Sequence, residues 1–262
     1  MSAKNRAGGS SPDLDVCLTP YPLALACCLL LEAPTAPEGA PRLPRVLEPS
    51  AGDGVWLQVM RAVYGTEFDV TAIELRNECH ERLVGLSPPG DPESFTALRV
   101  ITGRRFQSFM ERGGGFDMVI GNPPYTEADA FVEHSLFLTR PGGVIAMLLR
   151  LNYRAPRGKG DRRRRLFKKN PAWRYYTAED RPSFYGDGAT DATEACLFVF
   201  RKGVQAPDDG ILRTFAWRVS TRGLEPVIED IQDIHAADWS TQGGMPRWDL
   251  SALLSGGQIE RR

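Results

Sequence analysis

Arg45-Val46-Leu47 is a short apolar run that leads directly into Glu48-Pro49-Ser50-Ala51-Gly52-Asp53-Gly54 and then into Val55-Trp56-Leu57-Gln58-Val59-Met60. The pattern is strand, tight glycine turn, helix. A second strand, Asp69 to Ile73, ends at Glu74 and is followed by a helix from about Arg76 to Val84 and a loop from Ser87 to Pro92. A third strand covers Ala97 to Thr102, and a fourth, Phe116 to Ile120, stops at Gly121-Asn122-Pro123-Pro124-Tyr125. A helix from about Glu127 to Leu138 crosses to Pro141-Gly142-Gly143 and a fifth strand, Val144 to Leu151. Strands that are apolar on both faces and alternate with amphipathic helices predict a doubly wound α/β fold, its mostly parallel sheet covered on both sides.

Upstream, Leu23 to Leu31 suits a helix, with Thr19 in a capping position and Pro20 in the first turn. Pro34, Pro37, Pro41 and Pro44 then make a loop. Downstream, Trp173 to Thr177 and Glu194 to Phe200 are strand candidates that close the sheet as an antiparallel edge. Residues 1–15, small and polar, read as a loose tail. Residues 16–203 read as one domain, and 204–262 as a C-terminal extension with a candidate strand at Ile211 to Val219 and a candidate short helix at Val227 to Ile234.

The 262 residues are enough for one large domain. Hydrophobic residues at 42% and charged residues at 25% exclude wholesale disorder, collagen-like repeats and coiled coil. The nine-residue apolar run Leu23 to Leu31 is about half of a membrane span. Lys4 and Arg6 are followed by glycine and serine rather than by the apolar stretch of a secretory signal. Five cysteines (Cys17, Cys27, Cys28, Cys79, Cys196) without Cys-x-x-Cys spacing, and three scattered histidines, argue against zinc and disulfides. The expectation is no metal, no membrane, and a reducing, cytoplasmic compartment.

Net charge is −1 for the whole chain, but from Arg150 to Arg174 there are eleven basic residues against Asp161 alone. That segment carries +10, which leaves −11 for the remainder. Arg162, Arg163, Arg164, Arg165, Lys168 and Lys169 are its densest part. Such a run is either a solvated face or a grip on a phosphate backbone, where each neutralised phosphate releases counterions.

In an open parallel sheet, ligands settle beyond the carboxyl ends of the strands. There Gly52 and Gly54 permit close approach to the backbone, and Glu74 stands twenty residues past Gly54, the separation at which an acid meets ribose hydroxyls. Glu48 and Asp53 place acids where a pyrophosphate would lie. They favour a cationic ligand, and S-adenosylmethionine supplies one through its α-ammonium and sulfonium.

Asn122-Pro123-Pro124-Tyr125, preceded by Met118-Val119-Ile120, ends the fourth strand. In this tetrapeptide the chain resembles the S-adenosylmethionine-dependent amino-group methyltransferases, in particular the DNA adenine-N6 methyltransferases. The resemblance covers roughly residues 16 to 202 and implies their Rossmann-like sheet. It implies catalysis by Asn122, Pro123, Pro124 and Tyr125. It places the cofactor on Thr19, Glu48, Pro49, Ser50, Gly52, Gly54, Glu74 and Phe106, and an aromatic, Phe184, against a flipped base. DNA is the implied partner. The stretch from Gly143 to Phe200 is similar to small phage-encoded or orphan adenine methyltransferases, and the motif order is one in which target recognition follows catalysis.

The chemistry can be stated from the residues. The lone pair of an exocyclic amine is delocalised into its ring. If the Asn122 side-chain oxygen and the Pro123 carbonyl each accept one N–H bond, they favour a pyramidal nitrogen and stabilise its growing positive charge. Tyr125 can stack on a base swung out of the duplex.

One departure stands out. Where the family carries an acid beside an aromatic after the third strand, to accept from the cofactor's adenine amine, this chain reads Gly103-Arg104-Arg105-Phe106. Arginine cannot accept a hydrogen bond, so another group such as Gln107 must substitute, or cofactor affinity is weak. Two alternatives remain: a glutamine methyltransferase acting on a translation release factor, which uses the same tetrapeptide, and a non-catalytic nucleic-acid-binding relative.

Overall fold

Neighbouring residues of an extended chain point to opposite faces, so a strand of consecutive apolar residues feeds two cores at once. This happens along the centre of the sheet. The computed structural model describes residues 18–111, 115–155, 162–179, 182, 184, 194–204, 212–215, 231, 233 and 234. Strand β1 (Arg45–Glu48) sends Val46 to one core and Leu47 to the other, β4 (Phe116–Gly121) sends Met118 and Ile120 opposite Val119, and β5 (Thr139–Arg150) sends Ala146 and Leu148 opposite Ile145, Met147 and Leu149. Helices α1 (Tyr21–Leu29), α2 (Val55–Tyr64) and α3 (His80–Gly85) contribute to the first core, and α4 (Ala128–Leu138) and α5 (Arg162–Lys169) to the second.

With β2 (Asp69–Glu74), β3 (Ala97–Thr102), β6 (Arg174–Ala178), β7 (Ala195–Arg201) and β8 (Leu212–Phe215), the sheet has eight strands in the order β3-β2-β1-β4-β5-β7-β6-β8. β1 pairs in parallel with both β2 and β4, so the order reverses there and a crevice opens beyond the carboxyl ends of β1 and β4. The antiparallel element expected near one edge is β7, hydrogen-bonded between β5 and β6, and β8 lies outside β6 in parallel. The sheet therefore continues past Gly203. Ile231 and Ile234, from the candidate helix at 227–234, are buried in the first core.

Two local expectations are corrected. The apolar helix ends at Leu29 rather than Leu31, although Leu30 and Leu31 stay buried. Thr19 does not cap it: Pro20 is the capping residue, and its carbonyl accepts from the Leu23 and Ala24 amides. The fifth strand starts early, at Thr139, then bulges through Pro141, Gly142 and Gly143 before Val144 realigns opposite Met118. The tail at 1–15, Cys17, Arg157, Lys159, Asp161, His235 and most of the C-terminal extension lie outside the described residues.

At the opposite end of β4 from the crevice, Asp117 is buried and accepts hydrogen bonds from Arg42 Nη1 (2.5 Å) and Nη2 (3.1 Å), from the Arg45 amide (2.7 Å) and from Arg140 Nε. Burial pushes this carboxyl up, but these donors outweigh it and hold it below the usual aspartate value. The cluster ties the proline-rich loop to the sheet.

Candidate active site

Three strand ends are stitched together at the crevice. The Ala51 amide donates to the Ile73 carbonyl at 2.8 Å, and the Gly52 amide to Glu74 Oε2 at 2.7 Å. The Ser50 hydroxyl donates to the Asn122 carbonyl at 3.2 Å. Gly54 caps α2 at φ +84°, and a Cβ there would stand 2.2 Å from Leu86 Cδ1 and 3.1 Å from Leu83 Cδ2, so the turn requires glycine. Gly54 shapes the loop from beneath, while Gly52 lines the cleft.

The cleft is open to solvent. Pro49, Ser50, Gly52, Glu74, Asn122, Pro123 and Pro124 border it, and Phe106 closes it with Phe131, the two rings 4.9 Å apart. A second cavity adjoins it through Ser50, Gly52 and Asn122, and adds Thr19, Asp53 and Trp56. Residues gathered from five separate stretches of chain therefore surround this space.

Thr19 finds a different use from the expected cap. Its Oγ1 lies 3.0 Å from Asn122 Nδ2, across 103 positions of sequence. That contact turns the side-chain oxygen of Asn122 away from Thr19. Asn122 itself is 8% exposed, so its amide is held rather than solvated.

Glu48 is fully buried, and neither carboxylate oxygen has a hydrogen-bond partner among the described residues. Burial, reinforced by the nearby Glu74, pushes its carboxyl well above the usual glutamate value. Glu74 is engaged: its Oε1 accepts from the Arg76 amide and Arg76 Nε, both at 3.0 Å. Asp53 pairs with Arg82 at 2.7 Å and stays at the surface.

Tyr125 falls outside the main cleft and borders a separate polar cavity with Arg150, Asn152, Tyr153 and Arg163. The Arg150 guanidinium lies over its ring at 4.9 Å, and Phe184, buried, meets it edge-on at 6.1 Å. Tyr125 and Phe184, the two aromatics named for the base, are therefore in contact with each other and neither borders the main cleft.

The basic helix α5 lies apart from the main cleft. Arg162 pairs with Glu133 and Arg163 lies 3.8 Å from Asp129, both acids on α4, while Leu166 packs inward. Arg164, Arg165, Lys168 and Lys169 are exposed. At about 100° per residue they fall on one arc of about 140°.

Glu127, which carries no motif, also borders the cleft, and Gln107 Nε2 donates to its Oε2 at 2.8 Å. The one signal for it in the sequence is its place two residues after Tyr125, where the following helix begins. Arg104 turns to Ser108, and Arg105 pairs with Glu127 at 3.4 Å.

The architecture is the class I methyltransferase fold. The chain is similar to the methyltransferase subunit of a type I restriction-modification system from Streptococcus thermophilus, at 13% identity and a TM-score of 0.62 over 85% of this chain and 53% of that one. It is also similar to the type IIG restriction endonuclease BpuSI, at 16% identity and 0.58 over 88% of this chain and 30% of that one. A third likeness is to an S-adenosylmethionine-dependent O-methyltransferase from Thermotoga maritima, at 14% identity and 0.50 over 75% and 71%. The chain thus spans about half of the first protein and under a third of the second. No family model and no curated protein matches it in sequence.

Proposed function

We propose that the protein transfers a methyl group from S-adenosylmethionine to the exocyclic N6 amine of adenine in DNA. The observation that carries this reading is the position of Asn122-Pro123-Pro124-Tyr125: Asn122 at the junction of the two halves of the elongated cleft, and Tyr125 beside a second cavity.

The residues present fit the cofactor. Glu48 is a buried acid whose oxygens have no partner among the described residues, and burial disfavours its charged form, which a cationic ligand end beside it would restore. Gly52, Glu74 and Phe106 border the half suited to a nucleoside. Thr19, Asp53 and Trp56 border the half suited to an amino acid. Bound there, the cofactor supplies an electrophilic methyl group on a sulfonium.

The chain's own residues do the rest. The Asn122 amide, held by Thr19, presents its oxygen as an acceptor, and the Pro123 carbonyl offers a second, so an amine placed between them donates one hydrogen to each. Acceptors fixed in advance stabilise the positive charge that grows on nitrogen, without reorganisation during reaction. Tyr125 supplies aromatic surface for an extruded base, with Phe184, buried rather than open to a base, packed edge-on against it; unstacking the base costs a few kcal/mol.

The partner reading draws on α5. Like charges four apart on a helix, as in Arg164 with Lys168 and Arg165 with Lys169, each cost about 0.2–0.5 kcal/mol, and a polyanion reverses that sign. No group of three or more potential metal ligands occurs among the described residues, and no helix there is long and apolar enough to cross a membrane.

The test is transfer of tritium from labelled S-adenosylmethionine to duplex oligonucleotides, with a glutamine-containing peptide as competitor acceptor. Label on N6-methyladenine is the expected result. Label confined to the peptide would replace the DNA reading with the glutamine one.

A further inference from the structure

The end of the cleft that closes on Phe106 lacks an acid in the segment just after β3 and yet contains one. Arg104 and Arg105 are donors only. Glu127 enters from the other side, between Tyr125 and α4. Its Oε2 accepts from Gln107 Nε2 at 2.8 Å, and its Oε1 lies 3.4 Å from Arg105 Nη1. All three side chains border the cleft beside Phe106, Phe131 and Pro124.

Phe106 and Phe131, packed on each other, and Pro124 give an apolar wall against which a flat ring can lie, and an acid at its rim decides which ring edge is accepted. A carboxylate offers about four lone-pair positions. Two of Glu127's are taken by Gln107 and Arg105, which leaves acceptor capacity for a ligand. The same bond orients Gln107: because a carboxylate only accepts, the amide must turn its nitrogen toward Glu127.

We propose that Glu127 is the group that reads the exocyclic amino group of the cofactor's purine, with Gln107 and Arg105 as positioning residues. The assignment rests on the reading of the cleft as an S-adenosylmethionine site. It means that the purine-reading acid has moved from the segment after β3 to the segment after β4, and that Arg105 holds it from the vacated place. A purine with a carbonyl at position 6 sets an acceptor against an acceptor and is rejected.

Calorimetric titration with S-adenosylhomocysteine and with its deaminated analogue S-inosylhomocysteine tests this without any turnover. The unsubstituted protein should prefer the adenine form by about tenfold or more, the worth of a hydrogen bond to a charged group. Glu127→Ala should weaken S-adenosylhomocysteine by about ten- to a hundredfold and erase the preference. Glu127→Gln, which keeps an acceptor, should retain part of it, and Gln107→Ala should lower the ratio with no change in unfolding temperature. The Glu127 side chain is 41% exposed, so its loss leaves the fold intact, which the unfolding temperature of the ligand-free variant checks. Equal ratios in Glu127→Ala and the unsubstituted protein, or no preference in the latter, would overturn the assignment while leaving the cofactor reading standing. Failure of the unsubstituted protein to bind either ligand would overturn the cofactor reading itself, and Glu127's role with it.

Discussion

Glu48→Met should make the ligand-free protein more stable and its binding worse. The carboxyl is 0% exposed, and both oxygens lack partners among the described residues. An unsatisfied buried polar group costs about 1–3 kcal/mol, and methionine fills a similar volume without polar oxygens. For a chain of this size 1 kcal/mol corresponds to roughly 2–4 °C, so the unfolding temperature at pH 7 should rise by about 2–12 °C. The pH dependence provides a second readout. Because burial raises the folded-state pKa, above the usual glutamate value of about 4.3 the folded state keeps a proton that the unfolded state has lost. Stability therefore falls as pH rises from there toward the folded-state value, by about 1.4 kcal/mol per pH unit from this group, and the variant should lose that slope. Thermal unfolding between pH 4 and 8 measures both effects, and titration with S-adenosylhomocysteine measures the loss of affinity for a ligand with an ammonium group. An unfolding temperature at or below that of the unsubstituted protein would refute the description of Glu48 as an uncompensated buried acid. Undiminished affinity would refute its assignment to the ligand's cationic end.

Asn122→Ala should lower the rate of methyl transfer by about 10²–10³, the worth of one fixed polar group at the reacting atom, while S-adenosylhomocysteine still binds. Single-turnover assays check the first point and calorimetry the second; a rate within a few-fold of the starting value would remove Asn122 from the chemistry. Replacing Arg164, Arg165, Lys168 and Lys169 with glutamine should weaken duplex DNA binding and flatten the slope of log K against log salt by about 0.9 for each phosphate no longer neutralised. An unchanged slope would leave α5 as a solvated face. Asp117→Ala, far from the crevice, should destabilise by about 3 kcal/mol, the lower end for a broken buried ion pair, because Arg42 and Arg140 are partly exposed and can turn to water. Because the Asp117 carboxyl is held below its usual value, its contribution is present above about pH 3.9 and fades as pH falls through the folded-state value. Urea unfolding at pH 7 and pH 3 should therefore separate the variant from its parent at the first pH more than at the second.

Local pattern determined much of this molecule unaided. Consecutive apolar residues at 46–47, 118–120 and 145–149 can be buried only if both faces of the sheet are covered, and that requirement, with the glycine turn at 52–54, is written within a few residues each time. The doubly wound sheet was legible for that reason. Tertiary structure alone decided what each polar residue faces. Thr19, in a good capping position by local rules, reaches Asn122 instead, because the chain folds 103 positions back onto itself. Glu127 meets Gln107 and Arg105 across a cleft whose walls come from different crossovers. Within the basic run, Arg162 and Arg163 face acids of α4 while Leu166 packs inward. Hydrogen bonds and ion pairs act over about 3–4 Å of space and carry no record of sequence separation, whereas strand and helix preferences act between chain neighbours.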